Sequence, residues 1–110
     1  MIHLVTTSAT PQQLQDMLAT LDTYIKVAVD VRRRVLVGGG EMHADCEAVL
    51  LEDGSQQADV WGADWFPESQ RVRFQSLINI RPKLGNRSMD VSDPNLRAAI
   101  EDIVRKRLGN

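Results

Sequence analysis

The connections between the strand-like segments in the middle of the chain limit its fold more than any other feature. Each segment has the apolar or alternating pattern of a β-strand, and turn-forming residues separate one from the next by only a few positions. A parallel pair of strands needs a crossover of about a dozen residues or more, so connections this short predict an antiparallel sheet. The predicted strands are residues 25–37 (with an exposed turn or ribbon at 32–34), 41–51, 59–66 and 71–81, and residues 88–91 are a candidate short edge strand.

Well-marked helices bracket these strands. A capping box formed by Thr10 and Gln13 predicts a helix over about residues 11–22. A cap at residues 92–93, followed by proline, predicts a second helix that stops at Gly109. Both helices carry an apolar stripe, so they can cover one face of a sheet and leave the other in water. The predicted fold class is therefore α+β: a two-layer sandwich in which an antiparallel sheet of four or five strands has the N- and C-terminal helices packed on one face.

Length, charge and cysteine usage narrow the class of protein. The 110 residues suit a single α+β domain spanning 1–110. Thirteen Lys and Arg against fifteen Asp and Glu give a net charge of −2, which offers no general attraction for nucleic acid or an anionic membrane. The lone Cys46 excludes an intrachain disulfide, and no apolar stretch approaches the length of a membrane span. We therefore expect a cytoplasmic protein that does not bind a membrane. Binding to nucleic acid would need a local basic patch, and it ranks third among the functions considered.

The strand predicted at 41–51 separates two kinds of side chain. Alternate positions from Met42 to Leu50 are apolar and mostly small, and they include Cys46, which we therefore expect to be a buried and inert thiol. Every second position from Glu41 to Glu47 is ionisable and faces the other way: Glu41, His43, Asp45 and Glu47. On the same open face, the strand predicted at 71–81 adds Arg71, Arg73, Asn79 and Arg81.

The strand predicted at 59–66 can be placed with either face toward the core. Pairing its end with the start of the next strand sends both tryptophans inward and sets Asp64 near Asp45 and Arg73. A shift of register by one residue would reverse the assignment. The burial of two large aromatic side chains favours the first placement.

Three interpretations of this charged face follow from its chemistry. Cross-strand ion pairs on a solvated sheet face are ordinary and contribute about 0.2–1 kcal/mol each. His43, Asp45 and Asp64 could instead converge on a divalent metal ion, with donors that suit Mn²⁺, Fe²⁺ or Zn²⁺ better than Ca²⁺. Without a metal, His43 beside a carboxylate could act as a general base while Arg73 or Arg81 holds an anionic substrate, although the sequence shows no nucleophile.

Three stretches of the sequence resemble an uncharacterised bacterial family, a domain of unknown function that is frequent in cyanobacteria. The stretches are GGGEMHADCE at residues 38–47, WGADW at 61–65 and SLINIRP at 76–82. The resemblance extends over nearly the whole chain. It implies a bacterial cytoplasmic protein, and it implies no particular activity, substrate or catalytic residue.

Two functions are compatible with these observations. The first is a binding or interaction module that uses the charged open face of its sheet, with a protein or a second copy of the chain as its partner. The second is a small enzyme, which could be metal-dependent, that uses His43, Asp45 and Asp64 with Arg73 or Arg81 as the groups that hold an anion. Beyond a divalent metal, no cofactor is expected.

Overall fold

A single antiparallel sheet forms the centre of the protein. The computed structural model describes all 110 residues. Its main elements follow one another in the order β1 (His3–Val5), α1 (Pro11–Leu18), β2 (Ile25–Asp30), β3 (Val35–Gly38), α2 (His43–Glu52), β4 (Val60–Phe66), β5 (Arg71–Arg73) and α3 (Pro94–Leu108). The strands lie in the order β1-β3-β2-β4-β5, and every neighbouring pair is antiparallel. The predicted fold class, α+β with an antiparallel sheet, is confirmed.

The two terminal helices pack on one face of the sheet. Trp61 and Trp65 lie on this face and share an apolar cluster with Met17 of α1 and Ile103 of α3. The register that the sequence favoured, in which the end of β4 lies opposite the start of β5, is observed. Both tryptophans therefore point into the core, and Asp64 points to the opposite face.

The segment predicted as the long strand 41–51 is instead the helix α2, so that prediction was wrong. The buried residues of the helix are His43, Cys46 and Leu50, which are spaced by three and four positions and so line one side of it. The alternation of small residues suggested a strand, but a segment rich in Ala, Leu and Glu also has high helix propensity. Gly39, with a φ of +99°, turns the chain between β3 and this helix.

Helix α2 covers the sheet face that was expected to be open. Cys46 and Leu50 pack against Ala28, Val37 and Val60, which belong to β2, β3 and β4. The helix adds a third layer to the predicted sandwich. The charged open face therefore does not form, because the ionisable side chains of this segment are distributed around a helix rather than along one side of a strand.

Only β5 of the strand predicted at 71–81 belongs to the sheet. The chain then leaves the sheet and forms 3₁₀ turns at Leu77–Asn79 and Pro82–Leu84. The Asn79 side chain takes the place of the missing strand, because its Oδ1 accepts from the Gly62 N–H at 2.8 Å and its Nδ2 donates to the Gly62 carbonyl at 3.0 Å. One amide side chain thus satisfies both backbone groups on the open side of β4 at this position.

Buried amide side chains also order the rest of the segment between β5 and α3. The candidate edge strand at 88–91 does not form. Instead, the two hydrogens of Asn86 Nδ2 are shared among three backbone carbonyls within 3.0 Å, those of Asn79, Ser88 and Asp90. The structure therefore holds this irregular segment in place with side-chain hydrogen bonds.

The N-terminal boundaries also differ from those predicted. The first helix ends at Leu18 rather than near Asp22, where a φ of 77° is incompatible with a helix. The strand β1 was not predicted, and it pairs with β3 at one edge of the sheet. None of the three helices combines the length and the apolar character that crossing a membrane would require.

We predict that Asn79→Ala destabilises the protein by about 2–6 kcal/mol. The N–H and the carbonyl of Gly62 would both lose their partner, and each buried backbone group left without one costs roughly 1–3 kcal/mol. Urea unfolding followed by circular dichroism measures the change. Asn95→Ala is the matched control, because it removes the same side chain from the exposed surface of α3, and its effect should stay within about 0.5 kcal/mol. Equal effects of the two substitutions would contradict the role assigned to Asn79.

Candidate functional site

Asp64 lies where β4, β5 and the N-terminus of α2 meet. Its side chain is 1% exposed, and one carboxylate oxygen accepts a hydrogen bond from His43 Nε2 at 2.8 Å. The other oxygen accepts from Arg73 Nε, also at 2.8 Å. His43 is the first residue of α2, and Arg73 is the residue of β5 directly opposite Asp64. We call these three residues the Asp64 triad.

The contacts of His43 define which of its ring nitrogens carries the proton in the neutral imidazole. Nε2 lies 2.8 Å from the Asp64 carboxylate and 3.1 Å from the carbonyl of Ala63. Both partners can only accept, so Nε2 must be the N–H and Nδ1 must carry the lone pair. Nδ1 of His43 has no hydrogen-bond partner. Trp65 Nε1 is the one side-chain nitrogen or oxygen that is both fully buried and without a partner, so His43 Nδ1 keeps contact with solvent.

Arg73 is held by stacking as well as by its ion pair. Its guanidinium lies over the rings of Tyr24 and Phe66, with 5.2 and 4.9 Å to the ring centroids, and these two rings stack on each other. Only Nε bonds to protein, so both terminal nitrogens of the guanidinium are free. The side chain is 47% exposed, and it also borders a depression of about 430 Å³ beside Arg71 and Arg97. A guanidinium fixed in this way keeps donors available at little cost in conformational entropy.

The Asp64 triad lines a cleft of about 290 Å³ between α2, the sheet and the segment that follows β5. Lys26, on β2, lies opposite Asp64 on β4, so that a lysine, an aspartate and an arginine follow one another across three strands. These are the only formally charged residues of the lining when His43 is neutral, which gives the cleft a net charge of +1. The rim is formed by large exposed apolar side chains, those of Met42, Leu77 and Met89.

Arg81 lies outside this cleft, in an adjoining depression of about 540 Å³. Its guanidinium donates to Glu47 at 3.0 Å and to the backbone carbonyl of Gln57 at 2.6 Å, and it stacks over Trp61. Burial lowers the pKa of Arg81, although the Glu47 carboxylate counteracts this. The prediction that Arg81 shares a site with His43 was wrong, because the chain turns away from the sheet between β5 and Arg81.

Asp45 does not join His43 and Asp64, so the predicted three-residue metal centre is not assembled. Residues two apart in a helix differ by about 200° around its axis, whereas in a strand they share a face. The Asp45 carboxylate instead accepts a hydrogen bond from the Met42 N–H at 3.1 Å and helps to begin α2. No group of three or more His, Cys, Asp and Glu side chains is arranged to hold a metal ion.

Cys46 is buried in the interface between α2 and the sheet. Its thiol lies 3.5 Å from the carbonyl of Lys26, and burial raises its pKa to about 11. A thiol with so high a pKa is a poor nucleophile at neutral pH. The expectation that Cys46 is an inert structural residue agrees with this environment.

Sequence reasoning missed the contributions of Lys26 and of the apolar rim. Lys26 was visible as a polar position in the alternation of β2, but its place beside Asp64 depends on the register between β2 and β4. Met42 and Leu77 approach one another only because the first lies before a helix and the second on a 3₁₀ turn. Neither element was predicted, so no pattern could bring these residues together.

The architecture and the site define an α+β protein in which a buried aspartate, paired with a histidine and an arginine, borders a small cleft. The chain belongs to the family described as "Protein of unknown function (DUF5674)", whose model matches residues 3–107. The predicted membership of an uncharacterised family is confirmed, while its frequency in cyanobacteria stays a prediction. No solved structure matches the chain.

We predict that native Cys46 resists alkylation at pH 8. With a pKa of about 11, roughly one thiol in a thousand is ionised at this pH, against about a quarter of exposed thiols with an ordinary pKa near 8.5. Labelling by iodoacetamide, followed by mass spectrometry, should therefore be at least about 100-fold slower in the native protein than in guanidinium chloride. Comparable rates in the two conditions would show that the thiol is accessible and activated.

We also predict that neutral His43 is observed as the Nε2–H tautomer. Long-range ¹H–¹⁵N spectra distinguish the protonated ring nitrogen from the bare one, and Asp64→Ala should weaken the preference because it removes one of the two acceptors. Asp16→Ala is the control, because Asp16 contacts His3 Nε2 at 2.9 Å and should affect only that residue. A proton on Nδ1 of His43 would contradict the assignment.

Proposed function

We propose that this chain is a small cytoplasmic binding module and that it binds its partner at the cleft bordered by the Asp64 triad. The observation that carries the proposal is that His43 and Arg73 each use one nitrogen to hold Asp64 and keep others free on the lining of the cleft. Positioned polar groups in a concavity with apolar walls are the usual make-up of a binding site. The buried free thiol of Cys46 is compatible with the reducing compartment that we propose.

The burial of Asp64 supports a role beyond stability. Removing a carboxylate from water costs several kcal/mol, and a buried ion pair can often be replaced by apolar residues without loss of stability. β4 could therefore carry an apolar residue at this position, as it does at Ala63 and Trp65 on the other face. We therefore attribute the buried carboxylate of Asp64 to its role in positioning His43 and Arg73 for binding.

The exposed apolar rim supports binding at the same place. Leu77 is 68% exposed and belongs to both the cleft and the adjoining depression. Ile80 and Leu84 extend this apolar surface over the second depression. Clustered apolar side chains of this kind are typical of surfaces that become covered by a ligand or a partner.

The proposal can be tested with a fragment library monitored in ¹H–¹⁵N correlation spectra. We expect the fragments that bind to shift the amide signals of Met42, His43 and Leu77 in preference to the rest of the chain. Leu77→Ser should weaken this binding without unfolding the protein, because the side chain is mostly exposed. Leu51→Ser is the matched control, since Leu51 is an exposed leucine of α2 that lines neither depression. Fragments that bind nowhere, or that gather elsewhere, would refute the proposal.

A second copy of the chain is the protein partner that we propose for the wider apolar surface. Light scattering of the wild type and of Leu77→Ser tests this form of the proposal. A dimer that the substitution dissociates would support it, and a monomer at high protein concentration would exclude it. The control Leu51→Ser should leave the oligomeric state unchanged.

An enzyme that uses His43 as a general base is the second candidate. The specific observation in its favour is the Asp64–His43 contact, since a carboxylate that holds one ring nitrogen and leaves the other free is the arrangement that orients catalytic histidines. In this role Nδ1 would take a proton from a hydroxyl group or a water molecule, and Arg73 would hold an anionic part of the substrate. Conversion of a bound compound that His43→Gln abolishes would support the enzyme, and recovery of the unchanged compound would support the binding module.

A further inference from the structure

From the free hydrogen-bonding groups of the cleft we infer that it takes a small hydroxylated organic anion, whose carboxylate or phosphate group binds Arg73 and whose hydroxyl group binds His43 Nδ1. This inference rests on the proposed function, because it names the class of ligand for the same cleft. It combines three separate observations: the sign of the charge, the opposite hydrogen-bonding roles of the two residues, and the volume.

The charge of the cleft favours an anion. Lys26 and Arg73 flank the single carboxylate of Asp64, and no other charged residue lines the cleft, so the positive charge is in excess although the whole chain carries −2. The carboxylate of Asp45, on α2, is engaged by the Met42 N–H and does not belong to the lining. A group with a negative charge would therefore gain energy here, and a cation would lose it.

The donors of Arg73 specify what kind of anion fits. Nε is used by Asp64, which leaves N–H groups on both terminal nitrogens, and the stacking on Tyr24 and Phe66 restricts the plane in which they lie. Carboxylate and phosphate are the anions whose oxygens match a guanidinium. Lys26 can add to this, since one hydrogen of its ammonium is used by the Glu41 carbonyl and the others have no partner.

His43, unlike Arg73, needs a ligand group that donates a hydrogen bond. Because Nε2–H is committed to Asp64 and Ala63, the free Nδ1 of the neutral ring can only accept a hydrogen bond. A carboxylate or a fully ionised phosphate offers no donor, and its oxygens would meet the lone pair of Nδ1 unfavourably. A hydroxyl group on the same molecule satisfies Nδ1, so the two residues together select a ligand that carries an anion and a hydroxyl donor.

The volume limits the ligand to a small one. The cleft of about 290 Å³ is at the lower end of the range for ligand pockets, which is roughly 300–1,000 Å³. In liquid water each molecule occupies about 30 Å³, so the cleft corresponds to about ten water molecules. Hydroxy acids and polyol phosphates of three or four carbons fit within this volume.

Paired probes that differ only in the hydroxyl group test the inference. Lactate is compared with propionate, and 2-hydroxypropyl phosphate with propyl phosphate, by titration of the amide signals of His43 and Arg73 at constant ionic strength; glycerol serves as the uncharged control. We expect each hydroxylated anion to bind about 3- to 10-fold more tightly than its partner, which is the effect of one added hydrogen bond. The two pairs distinguish a carboxylate from a phosphate as the preferred anion.

Three variants assign the two interactions to their residues. In His43→Phe the ring remains but no acceptor is left in the place of Nδ1, so the preference for the hydroxyl group should vanish, while the anions still bind because Arg73 continues to pair with Asp64. Arg73→Gln should weaken both members of each pair by tenfold or more, because it removes the charged donors. Arg71→Gln, two positions earlier on β5 and outside the cleft, should change affinity by less than twofold.

The result separates this inference from the proposed function. Equal affinity for the members of each pair, or an Arg71→Gln effect as large as that of Arg73→Gln, would overturn the inference. Fragment binding in the cleft without any anion binding would overturn it too, and would leave the proposed function standing. If neither fragments nor anions shift the cleft signals, both are refuted.

Discussion

The burial of the Asp64 carboxylate is the constraint on which the site and much of the sheet depend. An ionised carboxylate that is almost completely removed from water has to be paired. β5 must therefore place Arg73 opposite Asp64, and α2 must begin where His43 reaches the same carboxylate. A slip of one residue in β4 would unpair the charge and turn both tryptophans away from the core, so the polar and the apolar face enforce the same register.

The terminal helices and the antiparallel sheet could be predicted because their signals are local in the sequence. The prediction failed at α2, where the spacing of the apolar residues fits both a strand and a helix. The capping box at Thr10 and the cap at residues 92–93 mark the terminal helices, and short turns establish the antiparallel sheet. In α2, alternating small residues imitate a strand, while the buried His43 and Leu50 are seven positions apart and fit two turns of a helix. The choice between a strand and a helix depends on the apolar sheet face that α2 covers, and this face exists only once the sheet has formed.

The site was predictable to the extent that it depends on the pairing of strands. Asp64 and Arg73 meet because they are opposite each other in neighbouring strands, and this could be read from the two hairpin segments. His43 was expected nearby on a strand and arrives there as the first residue of a helix, so Asp45 does not accompany it. Arg81 is absent from the cleft because the strand that would have carried it stops after β5.

The end of β5 at Arg73 is also the reason that a cleft exists. If the strand had continued antiparallel to β4, its residues would have stayed in the sheet and left no wall above Asp64. Asn79 instead satisfies the backbone of Gly62, and this releases the chain to cross toward α2 and bring Leu77 beside Met42. The wall of the cleft thus depends on side-chain hydrogen bonds between residues far apart in the sequence, which leave no periodic pattern, and the cleft and the incomplete sheet are two consequences of one polar contact.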